Sequence, residues 1–259
     1  MEVGICATSD SSAVCAAAGY DYVELPVAVD LDSEVRDDAS VGTLAKTLNR
    51  HGIGAAAFNV LLPGRLPCVG PNVDADAIDR YFKAVFRRVR RLAGEVVVFG
   101  SGRSRSRPDG FTADTARRQL LSAFRSAGDH AAANGVTVVI EPLNRSESNM
   151  VNSVAEAVQI AKEIDHPAVR VLSDLYHVEM ERQPFSETAD AGALLKHVHV
   201  AGSGRRAPIK DDHDLLSEYF RAVKAAGYDG RVSIECNWID LSSQAEEAVR
   251  VVRRAWDAA

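Results

Sequence analysis

Glu141, Asp174, His199 and Glu235 are the residues whose types and placement best suit chemistry in this chain. Each ends or follows an apolar, β-branched run: TVVIEP, VRVLSD, KHVHV and VSIEC. Each run lies between two helix-like stretches. If the runs are parallel strands closing a barrel, the four side chains converge at one rim. Three carboxylates and one imidazole form an oxygen-rich set. That set suits one divalent ion, Mn²⁺ first and Co²⁺, Mg²⁺ or Zn²⁺ after it, far better than a thiolate-seeking metal. A single carboxylate at a strand end is often just the cap of the next helix. Four consecutive strands ending this way point to a metal site.

The chemistry open to such a site is proton movement beside a carbonyl. A carbon acid there is too weak for an unaided carboxylate to ionise quickly, and a chelated divalent cation stabilises the enediolate charge as it develops. A metal-bound glutamate would then sit within reach of the proton, and a second glutamate could return one. Bases on opposite faces give epimerisation, and a proton moved between neighbouring carbons on one face gives aldose–ketose isomerisation. A lyase or dehydratase acting on a keto-sugar or inosose starts with the same abstraction and is the main alternative.

Several neighbours extend this set. His197 and His199 are two apart and face one side of their strand; His199 lies nearer the strand end and is the better ligand, with His197 a packed histidine one layer deeper. His177, three residues beyond Asp174, is placed to complete the metal shell or to reach a substrate oxygen. Arg205 suits an oxygen, a carboxylate or a phosphate. Phe58 and Asn59 end the third strand and are expected in the pocket, and Trp238 is expected as an apolar wall over it. Glu24, in YVEL, either accepts hydrogen bonds from distal hydroxyls or is structural. Arg103, Arg105 and Arg107 either reach an anionic substrate group or form a solvated charge run.

These residues need a scaffold that gathers strand ends, and the chain alternates accordingly. Strand-like runs fall near 3–8, 21–25, 53–59, 95–100, 136–141, 169–174, 196–201 and 231–236. Helical stretches fall near 11–19, 41–51, 74–93, 112–134, 153–165, 186–195, 213–227 and 242–257. Thr112, Ser153 and Ser242 read as helix starts, and Gly19, Gly52, Gly94, Gly135 and Gly227 as helix stops. Eight strand–helix units predict a single-domain α/β protein over residues 1–259, a closed (β/α)₈ TIM barrel. No G-x-G-x-x-G turn follows the first strand, which weighs against an open doubly wound sheet. The longest irregular stretches, near 60–73 and 101–111, lie on the side from which barrel active sites are built.

Composition narrows the function classes. The chain has 259 residues, 46% hydrophobic and 25% charged, which is ample apolar material for a large core. Its net charge of −6 and pI of about 5.7 point to neither a nucleic acid nor a membrane partner. No apolar signal core or spanning segment is evident, so a soluble, cytoplasmic protein is expected. Cys6, Cys15, Cys68 and Cys236 show no paired spacing and read as reduced thiols.

At EPLNRSE (141–147), DLYHVE (174–179), HVHVAGSGR (197–205) and VSIE (232–235), the chain resembles the xylose isomerase-like TIM-barrel superfamily. The likeness is greatest to its sugar isomerase/epimerase branch, which includes D-tagatose 3-epimerase and other ketose 3-epimerases. The resemblance implies that Glu141, Asp174, His199 and Glu235 hold one divalent metal, and that Glu141 and Glu235 act as acid/base groups on opposite faces of a sugar. It further implies that Glu147, His177 and Arg205 contact substrate oxygens. The partner is then a small sugar or keto-sugar, with a homo-oligomer left open. The AGSG segment departs from the Gly-Asp/Glu-containing segment common in ketose epimerases. An apurinic endonuclease of the same superfamily would use DxxH at 174–177 and Asp211-x-His213. Strands three and four, however, lack histidines that could serve as extra zinc ligands.

Overall fold

The computed structural model describes residues 1–259. The β-branched runs pack as parallel strands, as such residues do on a pleated surface. They are β1 (Glu2–Cys6), β2 (Tyr22–Pro26), β3 (Gly54–Asn59), β4 (Val96–Phe99), β5 (Thr137–Ile140), β6 (Val169–Asp174), β7 (Leu195–Val200) and β8 (Arg231–Ile234). Each strand pairs with the next and β1 pairs with β8, so the barrel closes. Outside it run Ser12–Ala17, Asp38–His51, Ala75–Arg91, Ala113–Ala133, Val154–Ile164, Ser186–Asp190, His213–Ala225 and Leu241–Asp257. None of these helices is long and apolar enough to cross a membrane.

The local signals hold in most places, with informative exceptions. Ser153 caps its helix by accepting from the Glu156 amide at 3.1 Å. The last helix is capped instead by Asp240, which accepts from the Ser242 amide at 3.0 Å. The stretch expected as a helix over 186–195 shortens to Ser186–Asp190 and ends in a tight 3₁₀ turn at Gly192–Leu194. Gly94 is not the left-handed stop; Ala93 takes that conformation at φ 59°. A side chain at Gly94 would collide with the Phe58 ring and Val89, so glycine is there for packing between barrel and helix.

Alternation along the strands decides what reaches the site. Val23, Leu25, Phe58, Val97, Phe99, Val138, Ile140, Val169, Val171, Val198, Val200, Val232 and Ile234 belong to the apolar layer beneath the helices. The intervening residues face the barrel axis. There Tyr22, Ala57, Val96, Val98, Val139 and Leu172 form a small apolar plug. Above it, toward the strand C-termini, the axis becomes polar.

Two register shifts set that upper layer. One lies between Val23 and Glu24 against β3, the other between Val171 and Leu172 against β7. The second brings Asp174 level with His199, which is itself level with Ser233. Irregularities of this kind re-aim side chains beside active sites.

Candidate active site

Glu141 follows β5, Asp174 ends β6, His199 lies on β7 and Glu235 follows β8, all on axis-facing positions. Their ligand atoms lie within 4.8 Å of one another. Nδ1 of His199 is 3.4 Å from Oε1 of Glu141, 3.6 Å from Oε2 of Glu235 and 3.8 Å from Oδ2 of Asp174. Glu141 Oε1, Asp174 Oδ2 and His199 Nδ1 are buried with no hydrogen-bond partner in the protein. Buried polar atoms are nearly always paired. Orphaned oxygens and a nitrogen aimed at one point therefore fit a divalent cation, and their donor types match the set expected for one.

The environments of the carboxylates diverge. Burial, reinforced by Glu235, raises Glu141. Burial also pushes Asp174 up to about 6, with the Glu235 and Glu141 charges adding to it. For Glu235, burial is outweighed by the neighbouring His199 imidazole and by Arg205, which hold its carboxyl down at about 2. Burial disfavours charge on His199, but Glu24 and the rim carboxylates hold its imidazole well above the usual histidine range.

Protons would therefore compete with a metal bound at Asp174 and His199. Metal affinity should strengthen as pH rises, by about tenfold per unit for each proton displaced. The Asp174 contribution ends above a pH of about 6, where its carboxyl is already ionised. The His199 contribution persists past neutrality, because its imidazole must be deprotonated at Nδ1. Titration calorimetry with Mn²⁺ across this range checks the slope, and a flat profile would contradict the assignment of these two ligands.

Around this centre is a cavity of about 150 Å³, whose walls include Asn59, Glu141, Glu147, His177, Arg205 and Glu235. Asn59 Nδ2 reaches Glu235 Oε1 at 3.4 Å. Arg205 donates to Glu147 Oε1 at 2.8 Å and Glu235 Oε2 at 2.9 Å. Its guanidinium also covers the Tyr176 ring at 4.8 Å, so it is no free loop arginine. His177 Nδ1 accepts from the Asn144 backbone amide at 3.2 Å. That bond places the proton on Nε2, which is buried, unpartnered and 3.9 Å from Asp174 Oδ2. A protonated Nε2 donates rather than ligates, so His177 suits a substrate oxygen and not the metal shell.

Other expectations need correction. Phe58 faces the helical layer; only Asn59 of that pair meets the cavity. Trp238 is not in the cavity wall: its ring packs partly buried against the core with Nε1 enclosed. Arg105 is wholly buried and donates to the carbonyls of Phe99 and Val151, while Arg107 donates to the Phe111 carbonyl. These carbonyl bonds let Arg105 tie loops together below the rim, where burial lowers its guanidinium to about 10. Glu24 does not meet distal hydroxyls; it is fully buried beneath His199. Asp211 and His213 lie in a separate surface groove of about 810 Å³ with Lys210, Glu247, Arg250 and Arg254, far richer in solvated charge than the rim cavity.

Gly100 is a site residue that sequence reasoning passed over. A Cβ at this position would fall on Oε2 of Glu141. Its signal was a glycine directly after the β4 run VVVF. Gly100→Ala should fold, because Glu141 can swing away, but should weaken metal binding about tenfold or more by displacing a candidate ligand. Equal metal affinity in the folded variant would show that Glu141 is not held against this glycine.

A family model described as xylose isomerase-like TIM barrel matches residues 12–255. The 3-dehydro-D-guloside 4-epimerase of Escherichia coli (strain K12) is 33% identical over 128 residues, 47% of this chain and 49% of that relative. The D-psicose 3-epimerase of Agrobacterium fabrum is 28% identical over 228 residues, 84% of this chain and 75% of that protein. Among solved structures, D-allulose 3-epimerase from Methylomonas sp. in complex with D-allulose aligns with a TM-score of 0.82 at 20% identity, covering 98% of this chain and 97% of that one, a likeness of fold.

Proposed function

Since the chain belongs to the xylose isomerase-like TIM barrel family, we propose that it is a divalent-metal-dependent sugar epimerase acting as one catalytic domain on a small ketose or keto-sugar. The observation that carries this reading is the pair of glutamates from β5 and β8 flanking a common point with orphaned ligand atoms. Glu141, Asp174, His199 through Nδ1, and Glu235 would hold the metal, Mn²⁺ being the first choice for three carboxylates and one imidazole. Bound there, a divalent cation supplies a Lewis acid that stabilises negative charge on neighbouring substrate oxygens.

The remaining work falls to the side chains. One glutamate removes the proton from the carbon beside the carbonyl, and the other returns a proton to the opposite face, inverting that centre. His177 Nε2–H and the Arg205 guanidinium donate to substrate oxygens, and Glu147 accepts from a hydroxyl. These directed contacts fix which carbon lies between the glutamates. The cavity wall has one cation, Arg205, and both its terminal nitrogens already serve carboxylates. That balance favours a neutral polyol over a phosphorylated one.

The epimerase relatives support the same choice. The test is deuterium uptake from D₂O into a panel of ketoses, keto-sugars and inososes with Mn²⁺-loaded protein, followed by NMR. Uptake beside the carbonyl with inversion supports the reading. Uptake with loss of water to an unsaturated product replaces it with a dehydratase, and no uptake in any compound rejects proton abstraction.

A further inference from the structure

Beneath the rim, a polar cluster occupies barrel space that is otherwise filled by apolar side chains. Glu24, His197, His199 and Ser233 are all fully buried on β2, β7 and β8. Glu24 Oε2 receives His197 Nε2 at 2.7 Å and Ser233 Oγ at 2.6 Å, and its Oε1 receives His199 Nε2 at 2.9 Å. Ser233 Oγ is in turn 2.8 Å from the Tyr22 hydroxyl. The Tyr22 ring fills the space left by the missing side chain of Gly4.

Resting on the metal reading above, we propose that Glu24 is a positioning residue, acting through His199 to aim the Nδ1 lone pair at the three rim carboxylates. A neutral imidazole has one N–H and one lone pair. An acceptor at Nε2 keeps the proton there and leaves Nδ1 free toward Glu141, Glu235 and Asp174. Carboxylates that accept from the far nitrogen of a ligating histidine fix its tautomer and ring orientation. His197, on the same face of β7, uses its own Nε2–H to pin the other oxygen of the carboxylate, so the acceptor itself cannot rotate. Glu24 is absent from the cavity wall, so any effect it has on substrate passes through the histidine.

A buried carboxylate between two imidazoles is costly to assemble, and an apolar residue would fill the same volume with less penalty. Its presence is explained if it orients a ligand. The carboxylate needs both oxygens as acceptors, which an amide does not provide.

The experiment compares wild-type protein with Glu24→Gln and Ser233→Ala, each prepared metal-free. Mn²⁺ dissociation constants are measured by calorimetry, with thermal unfolding as the control for folding. Zn²⁺-loaded protein labelled with ¹⁵N-histidine reports which His199 nitrogen carries the proton. In wild-type protein Nε2 should be protonated and Nδ1 metal-bound. Glu24→Gln should bind Mn²⁺ about 10–100-fold more weakly while unfolding cooperatively. Ser233→Ala, which leaves both histidine bonds in place, should stay within about threefold of wild type. Unchanged affinity in Glu24→Gln, or a His199 bound through Nε2, overturns the proposal, and the labelled wild-type measurement decides even if the variant fails to fold. So does an equal loss in Ser233→Ala, which would trace the effect to the network at large. If wild-type protein binds no divalent ion, the metal centre itself falls, whereas tight binding insensitive to Glu24 removes only this role.

Discussion

Glu141→Gln and Glu235→Gln are each expected to abolish epimerisation, with a fall of about 10²–10⁴-fold in turnover. The amide keeps nearly the same volume and an oxygen for the metal, but it cannot take up a proton at neutral pH. Glu235 is held by Asn59 at 3.4 Å and Arg205 at 2.9 Å, and the Gln carbonyl oxygen can still accept from Arg205. The lesion is therefore chemical more than structural. Two bases on opposite faces make a sharper expectation. Each variant should still exchange deuterium into one epimer, the one whose proton faces the surviving glutamate, and the two variants should spare opposite epimers. Full epimerisation in either variant would sink the two-base model. Exchange of the same epimer by both would point to a single-base isomerase.

The second large effect is expected at His199. Removing the imidazole in His199→Ala takes away the only nitrogen among the four candidate ligands and should weaken Mn²⁺ binding by about 100-fold or more. It also strips one of the three donors from the buried Glu24 carboxylate, at a cost of about 1–3 kcal/mol in stability. Asp174→Asn offers a companion, since it removes a ligand charge and leaves the Glu24 cluster untouched. Elemental analysis and calorimetry check both. Full metal occupancy in folded His199→Ala would reject this histidine as a ligand.

The candidate metal set was legible because its signal is local. A carboxylate or histidine at the end of a β-branched run must sit at a strand's C-terminal edge, and a parallel barrel puts all such edges on one rim. Asn59 was legible for the same reason, and strict alternation would also have turned Phe58 outward. Trp238 and Arg105 carry no such local signal, because exposure depends on what packs above them. Arg105 lies in a short helix, Gly102–Arg105, whose neighbour Ser104 donates to the carbonyls of Leu62 and Pro63. That stitching buries a guanidinium that looks free in a serine–arginine run.

Residue types and periodicity alone determined the eight strand–helix units, the barrel and the chemical identity of the candidate rim residues, since each depends on neighbours a few positions apart. The tertiary structure decided how those side chains are aimed. The shift between β6 and β7 that sets Asp174 beside His199 arises from pairing between strands. Glu24 lies 175 residues from His199, and they meet because barrel closure joins β1 to β8 and folds both strands around one axis. Gly100 makes room for Glu141 for the same reason. Register, ring orientation and burial are set by contacts distant along the chain, and closure of the barrel is what creates those contacts.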